Sequence, residues 1–298
     1  MTNQMTFQKD QIHEITIEDL GHNGEGVGRI DGFTVFVEGG IPGDALKIKM
    51  ENVKKNYATG SILEILNPSE DRIQPLCPVA QSCGGCQLQH LDYQAQLRWK
   101  TNRVRENLRR IGGLEDIPVY DAIGMDNPWH YRNKAQFPAG LHRGEAILGF
   151  YKKGSHELVD IHHCRIQHES SEPVIQAMER YMNEYHVAPY DERTGKGIIR
   201  HVLVKVGFHT GEKMVAIVTN GRKLPHKEEM IQMLLDAVPG LNSIIQNINT
   251  KRGNVILGSE CIPLYGPERI TDTIGDLKFQ ISALSFFQVN PVQTKVLY

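Results

Sequence analysis

Hydrophobic and polar positions alternate through the first part of the chain, in short segments that turns separate. The segments are IHEITIEDL, FTVFVEG, ALKIKM and ATGSILEIL. Alternation over so few residues is typical of half-buried β-strands. The glycine-dense stretch GHNGEGVGRIDG between the first two is interpreted as a turn region. The pattern predicts about five short strands within residues 12–66, and hence a small closed or nearly closed barrel of the oligonucleotide-binding type.

Helical spacing follows the barrel. Asp92 is a predicted N-cap, and Gly112 and Gly113 end the helix. Its apolar stripe consists of Tyr93, Leu97, Val104, Leu108 and Ile111. From residue 117 onward, strand-like segments, among them NVILG, alternate with two helical ones, and the chain closes on DLKFQISALSFFQVNP and the start of a helix. The pattern predicts a mixed or antiparallel sheet with its helices on one face, so the fold class is α+β multidomain.

Charge adds local information only. The 298 residues carry a formal net charge of −2, so bulk charge does not announce nucleic-acid binding and any basic surface must be local. The barrel offers a cluster of Lys47, Lys49, Lys54 and Lys55. These lysines favour a surface that follows phosphates, or equally a solvated edge strand protected from aggregation. The residues around Arg132 and Lys134 interleave aromatic rings with cations, as RNA-binding strands do.

Three cysteines within ten residues, Cys77, Cys83 and Cys86, predict a metal site that Cys164 could complete. Four thiolates can hold tetrahedral zinc or an iron–sulfur cluster. Gly84 and Gly85 favour a cluster slightly, because a flexible backbone can direct amide N–H groups at a sulfur. Reduced cysteines without a ligand are the remaining alternative. The odd cysteine, Cys261, is interpreted as a core residue in a strand.

The sequence shows no pattern typical of a targeting signal or of a membrane span. The chain opens MTNQMTFQKD, with no basic and then apolar leader, and no run reaches the roughly 20 apolar residues of a membrane span. We therefore expect a cytoplasmic protein with no membrane partner, in a compartment where thiols stay reduced.

Taken together, these segments resemble the RNA 5-methyluridine methyltransferases, in the branch that modifies 23S ribosomal RNA. The resemblance rests on GHNGEGVGRIDG, CPVAQSCGGCQLQHLDYQAQLRWK, YRNKAQFP, DIHHCRIQ and SFFQVNP, and it extends over essentially the whole chain. It implies a TRAM barrel at 1–69, a central iron–sulfur and RNA-binding domain at 70–280, and the start of a class I Rossmann-like domain at 281–298. Helix 92–111 would pack against that last domain.

The resemblance also assigns residues. Cys77, Cys83, Cys86 and Cys164 would ligate a 4Fe-4S cluster, and Gln288 would contact S-adenosylmethionine. Phe286 and Gln136 would lie near a flipped target uridine. The partner would be 23S ribosomal RNA, bound by a monomer.

By the same resemblance, the catalytic cysteine and the general base lie beyond Tyr298. We therefore expect a truncated chain that binds RNA without catalysing methyl transfer. A stand-alone zinc- or cluster-containing RNA-binding module is the alternative, and an electron-transfer protein is a third class.

Overall fold

The computed structural model describes residues 7–298. The first six residues, on which the expectation of no leader partly rests, lie outside the described residues. The chain forms two compact units. One contains the chain up to Ala80 together with Cys86–Gly124, and the other contains Gln81–Gly85 together with Met125–Tyr298.

The first unit is built on a closed five-stranded barrel with the strand order β1-β2-β3-β5-β4. Its strands are β1 (Ile12–Leu20), β2 (Gly26–Ile30), β3 (Phe33–Val37), β4 (Ala45–Val53) and β5 (Tyr57–Asn67). Alternate residues of β4, among them Leu46, Ile48 and Met50, are fully buried in the barrel core. The alternating pattern therefore predicted the barrel correctly.

The stretch interpreted as a turn region is partly a strand, because β2 lies within it. Its glycines allow neighbouring backbone segments to approach closely. A Cβ atom on Gly26 would lie 2.8 Å from the carbonyl oxygen of Gly40, and one on Gly28 would lie 2.5 Å from that of Thr16. Only glycine fits so near a neighbouring backbone, and for that reason glycine density did not mean a turn here.

Helix α1 (Tyr93–Arg110) begins where the sequence predicted. The Asp92 side chain accepts hydrogen bonds from the backbone N–H groups of Gln94 and Ala95. Ala95 and the half-buried Trp99 pack in a cluster with Leu20 and Ile41. The helix therefore belongs to the core of the first unit.

The predicted apolar stripe of α1 contributes little to that core. The buried positions of the helix are Ala95 and Thr101, whereas Val104 is 51% exposed and Ile111 is 83% exposed. Packing of this helix against a methyltransferase domain stays a prediction.

The second unit is organised around a seven-stranded sheet with the order β12-β11-β10-β9-β6-β7-β8. Its strands are β6 (Lys134–His142), β7 (Glu145–Tyr151), β8 (Leu158–Asp160), β9 (Ile199–Val206), β10 (Lys213–Thr219), β11 (Leu241–Ile248) and β12 (Glu260–Tyr265). Strands β10 and β11 are parallel and the other pairs are antiparallel. The predicted mixed sheet is confirmed.

Two helices cover one face of this sheet, α2 (Ser171–Glu184) and α3 (Lys227–Ala237). Met178 of α2 and Leu234 of α3 are fully buried in one core cluster with Phe137 of β6 and Val202 of β9. The opposite face packs against a hairpin of β13 (Arg269–Ile274) and β14 (Leu277–Ser282), through a second cluster. The helices therefore cover one face of the sheet, and the hairpin and the segment that follows it cover the other.

One strand prediction was wrong. NVILG has no strand structure, and the strand that pairs with β11 on the side away from β10 is β12. The cause is local, because the Asn249 amide donates hydrogen bonds to the carbonyl oxygens of Val255 and Ile256 and thereby folds this stretch into a loop.

The chain closes with α4 (Pro291–Leu297), in the place where the sequence predicted the start of a helix. The Asn290 side chain accepts a hydrogen bond from the N–H of Gln293 and caps it. No helix within residues 7–298 combines the length and the apolar character that crossing a membrane requires.

Candidate functional site

The sheet face opposite the two helices carries a cluster of polar side chains. In the antiparallel pairing of β6 with β9, Lys134 lies opposite Lys205, and Gln136 lies opposite Leu203. Leu203 belongs to the core cluster on the hairpin side of the sheet. Because paired residues point to the same face and alternate residues share a face, Lys134, Gln136 and Lys205 all lie on that side.

The cations of this face repel one another. Burial and then the neighbouring Arg132 lower the pKa of Lys134. Burial and then Lys134 lower the pKa of Lys205 to about 8, with a smaller opposing effect from Cys261. Arg132 has a buried Nε without a hydrogen-bond partner. Of these cations, Arg132 and Lys134 are suited to an anionic ligand.

The segment from Ser282 to Asn290, here called the 282–290 segment, is attached to this face by Lys205. The Lys205 ammonium donates hydrogen bonds to the carbonyl oxygens of Ser282 at 2.7 Å and Ser285 at 2.9 Å. Lys205 is 5% exposed. Its charge is thus directed at the backbone of this segment.

Asn133 attaches the other end of the same segment. Its backbone N–H donates to the carbonyl oxygen of Val289, and its side-chain amide donates to that of Gln288, both at 3.0 Å. Asn133 is itself 4% exposed. The backbone at Gln288 and Val289 is therefore fixed.

Two adjacent phenylalanines in the segment point to different environments. Phe287 packs against the hairpin-side core cluster, and its ring lies 5.7 Å from that of Phe279. Phe286 is 84% exposed. An exposed ring on an anchored backbone is available to stack on a planar ligand.

The predicted RNA-binding lysines of the barrel lie in two places, Lys47 and Lys49 on β4, and Lys54 and Lys55 in the turn after it. Lys49 forms ion pairs with Asp10 at 3.7 Å and Glu51 at 3.4 Å, so part of its charge is neutralised. Lys54 and Lys55 are exposed in the turn between β4 and β5, beside Tyr57, which is 42% exposed. Lys47 is half-buried on β4. The turn is the more favourable place for phosphates and bases.

The predicted cysteine ligands are thiols rather than disulfides, and each is half-buried. Cys77 and Cys86 belong to the first unit, and Cys83 and Cys164 belong to the second. Among residues 7–298, no three side chains of Cys, His, Asp or Glu form a group that could hold a metal ion. The four-cysteine ligand set therefore stays a prediction.

One of the two glycines in the loop around Cys83 directs its N–H at a sulfur, as the sequence predicted. The N–H of Gly85 donates to the Cys83 sulfur at 3.3 Å. The N–H of Gly84 donates to the carbonyl oxygen of Tyr151, and a Cβ atom on Gly84 would lie 2.8 Å from that oxygen. Glycine is thus required at position 84 by close approach to β7.

Cys261 lies on β12, as its strand-like context predicted, but it is half-buried rather than fully in the core. It lines a cavity of about 340 Å³ together with Glu260, Glu268 and Ser282. The amide of Asn247 donates to its sulfur at 3.2 Å. No pattern in the sequence indicated this cavity.

Comparisons with known proteins extend these observations. Residues 7–63 match the TRAM domain. Over 295 residues the chain is 48% identical to an uncharacterized RNA methyltransferase of Halalkalibacterium halodurans, covering 99% of this chain and 64% of the relative. It is 51% identical over 286 residues to one of Caldanaerobacter subterraneus subsp. tengcongensis, covering 96% of this chain and 63% of the relative. The chain thus spans just under two thirds of the length of these relatives.

A solved structure is similar over both units. The tRNA (uracil-54, C5)-methyltransferase of Pyrococcus abyssi, in complex with S-adenosyl-L-homocysteine, matches with a TM-score of 0.72 and 25% sequence identity. The match covers 95% of this chain and 63% of that one. The predicted TRAM barrel is confirmed, and the similarity to RNA methyltransferases extends well beyond the barrel.

Proposed function

We propose that this chain is the RNA-binding part of an S-adenosylmethionine-dependent RNA uracil-5 methyltransferase. The observation that carries the proposal is the sheet face on which Lys134 and Gln136 lie, with Arg132 just before β6, beside the anchored 282–290 segment. Arg132 and Lys134 suit phosphates, and the exposed ring of Phe286 suits a base. The solved structure named above, bound to S-adenosyl-L-homocysteine, supports the cofactor.

Gln288 is the residue of this chain that we assign to the cofactor. Its backbone is fixed by Asn133, while its side-chain amide lies at the surface and donates weakly to the Tyr298 hydroxyl at 3.4 Å. We further propose that the nucleophile and the base of methyl transfer belong to the part of the relatives that this chain does not span. The chain alone would then bind RNA without turnover.

The substrate that we propose is 23S ribosomal RNA. The support is the resemblance of the cysteine stretch and the residues after it to the ribosomal branch, whereas the solved relative is named for transfer RNA. Filter binding with transcribed 23S ribosomal RNA domains and with total transfer RNA separates the two. Tighter binding of one ribosomal domain supports the proposal, and equal or tighter binding of transfer RNA contradicts the ribosomal assignment.

Salt dependence tests the site itself. Each phosphate contact to a single strand contributes a slope of roughly −0.7 to the logarithm of affinity against the logarithm of salt concentration. Replacing Arg132 and Lys134 together with glutamine should flatten the slope by about 1.4 if both contact phosphates. Arg180→Gln is the control, because it removes a cation from the exposed surface of α2 in the same unit. An unchanged slope in the double variant would place the RNA elsewhere.

We propose in addition that Cys77, Cys83, Cys86 and Cys164 hold an iron–sulfur cluster, which would stabilise the fold. The donor set consists of thiols, and the Gly85 N–H bonded to Cys83 is the kind of donor that supports cluster sulfurs. Iron, sulfide and zinc are measured on anaerobically purified protein, for wild type and for Cys83→Ser, with Cys261→Ser as control. About four irons, lost only in the Cys83 variant, support the cluster. One zinc favours the stand-alone RNA-binding module. The absence of any bound metal would contradict both the iron–sulfur cluster and the zinc site.

A further inference from the structure

Lys205 is a buried cation with an unusual role in β9. The strand is otherwise buried throughout and mostly apolar. Burying an ammonium group is costly unless its donors are satisfied. The Lys205 ammonium donates to two backbone oxygens of the 282–290 segment, which lie 77 and 80 residues further along the chain.

The two carbonyl groups bracket one tight turn. The N–H of Ser285 donates to the Ser282 carbonyl oxygen at 3.3 Å, and the N–H of Ser282 donates to the Ser285 hydroxyl at 3.1 Å. The Lys205 ammonium therefore closes a turn that already has its own hydrogen bonds. The residue immediately after this turn is the exposed Phe286.

The exposed ring has little packing of its own to orient it. Its direction follows from the backbone between the turn at Ser282–Ser285 and the attachment of Gln288 and Val289 to Asn133. A segment with such an exposed aromatic side chain would otherwise reorient on binding, and preorganisation lowers that cost.

We infer that Lys205 and Asn133 are positioning residues, which hold the 282–290 segment so that Phe286 and Gln288 present a preformed surface to ligand. The role of that surface in binding RNA rests on the proposed function. Lys205 does not touch the ligand, because its ammonium is enclosed by the carbonyl groups it serves. It acts through the backbone of the segment.

Hydrogen exchange measured by mass spectrometry on the whole chain tests the structural part. Lys205→Met keeps the length of the side chain and removes its donors. We expect peptides within 282–290 to exchange at least tenfold faster, while α2 keeps its protection. Lys213→Met is the matched control, since Lys213 lies on the neighbouring strand β10 and donates to the Pro239 carbonyl oxygen. Unchanged exchange of the segment in Lys205→Met would overturn the inference.

RNA affinity and its salt slope test the ligand part, with the 23S ribosomal RNA domains used above. A positioning residue should weaken binding several-fold without changing the slope, because no phosphate contact is lost. Faster exchange with unaltered affinity would overturn the positioning role. A flatter slope would instead make Lys205 a phosphate contact and would also overturn it.

Asn133→Ala is a second variant, so that the inference can still be tested if Lys205→Met fails to fold. It should loosen the Gln288 end of the segment and lower affinity at an unchanged slope. If the wild-type chain binds no RNA at all, the proposed function fails. The exchange data would still decide whether Lys205 and Asn133 hold the segment.

Discussion

Removing Arg72 should destabilise the first unit far more than removing a comparable surface arginine. The Asp44 carboxylate is fully buried and accepts hydrogen bonds from Arg72 Nε at 2.9 Å, from the Ile41 N–H at 2.9 Å and from the Ser69 N–H at 3.0 Å. Arg72 also donates to the Gly39 carbonyl oxygen. This group joins the barrel to the residues that follow it.

The magnitude follows from burial. Leaving one member of a buried ion pair without its partner costs about 3–5 kcal/mol. Two backbone donors to Asp44 remain in Arg72→Met, and the Arg72 side chain is 16% exposed, so we expect the lower end, about 3 kcal/mol. The matched control is Arg98→Met, whose ion pair with Asp71 is exposed and should be worth about 0–1 kcal/mol.

The difference should depend on pH. Burial opposes ionisation of Asp44, but the hydrogen bonds from Arg72, Ser69 and Ile41 outweigh it and lower its pKa. A carboxyl group with a lowered pKa stabilises the fold above its unfolded pKa of about 3.9, and this stabilisation is lost as the pH falls through the folded value. The gap between wild type and Arg72→Met should therefore be full at pH 7 and shrink below pH of about 4.

Urea unfolding followed by Trp99 fluorescence measures this directly. Trp99 packs in the cluster that contains Ile41, and replacing Trp129 with phenylalanine leaves Trp99 as the single tryptophan of the chain. The comparison is made in that background for wild type, Arg72→Met and Arg98→Met. If Arg72→Met lost no more stability than Arg98→Met, the buried ion pair would not hold the unit together.

Three further predictions also use urea unfolding, followed by Trp99 fluorescence for the first unit and, with Trp99 replaced by phenylalanine instead, by Trp129 fluorescence for the second unit. Gly28→Ala should destabilise the barrel by about 2 kcal/mol, because its Cβ would lie 2.5 Å from the Thr16 carbonyl oxygen; an unchanged midpoint would refute the close approach. Burial lowers the pKa of His201 to about 4, so stability should fall by roughly 3 kcal/mol as the pH drops from about 6.5 to 4, and His201→Gln should remove that slope. Tyr181→Phe should cost about 1–2 kcal/mol, since the buried hydroxyl donates to the Pro225 carbonyl oxygen, and no loss would make that bond unimportant.

Local pattern predicted the elements well where a single physical cause dominates. The alternation of β4 and the N-cap at Asp92 each depend on neighbours within a few residues, and both predictions were correct. Gly26 and Gly28 were misread because their reason is a backbone approach from a distant strand, which no local pattern contains. NVILG was misread because its apolar residues join a core through a loop that Asn249 folds.

The sequence predicted only those parts of the candidate site whose residues lie close together in sequence. Arg132 and Lys134 lie close together in sequence, on or beside β6, so interleaved charge and aromaticity pointed to them, whereas the family resemblance alone pointed to Gln136. Lys205 was missed, although a lone lysine in the apolar run VLVKV is a usable signal. Its function depends on pairing with Lys134 and on a segment far along the chain, and only the folded structure supplies those partners.

Asp44 in the first unit and Lys205 in the second have a similar structural role. Each is an ionised side chain, almost completely buried, that joins segments far apart in sequence through several hydrogen bonds. Apolar packing could supply similar stability at lower desolvation cost, but it would not fix the direction of a backbone so narrowly. At Asp44 the result is a rigid exit from the barrel, and at Lys205 it is a fixed turn before an exposed ring. The fixed turn leaves the Phe286 ring open to a planar ligand, which agrees with the positioning role proposed for Lys205.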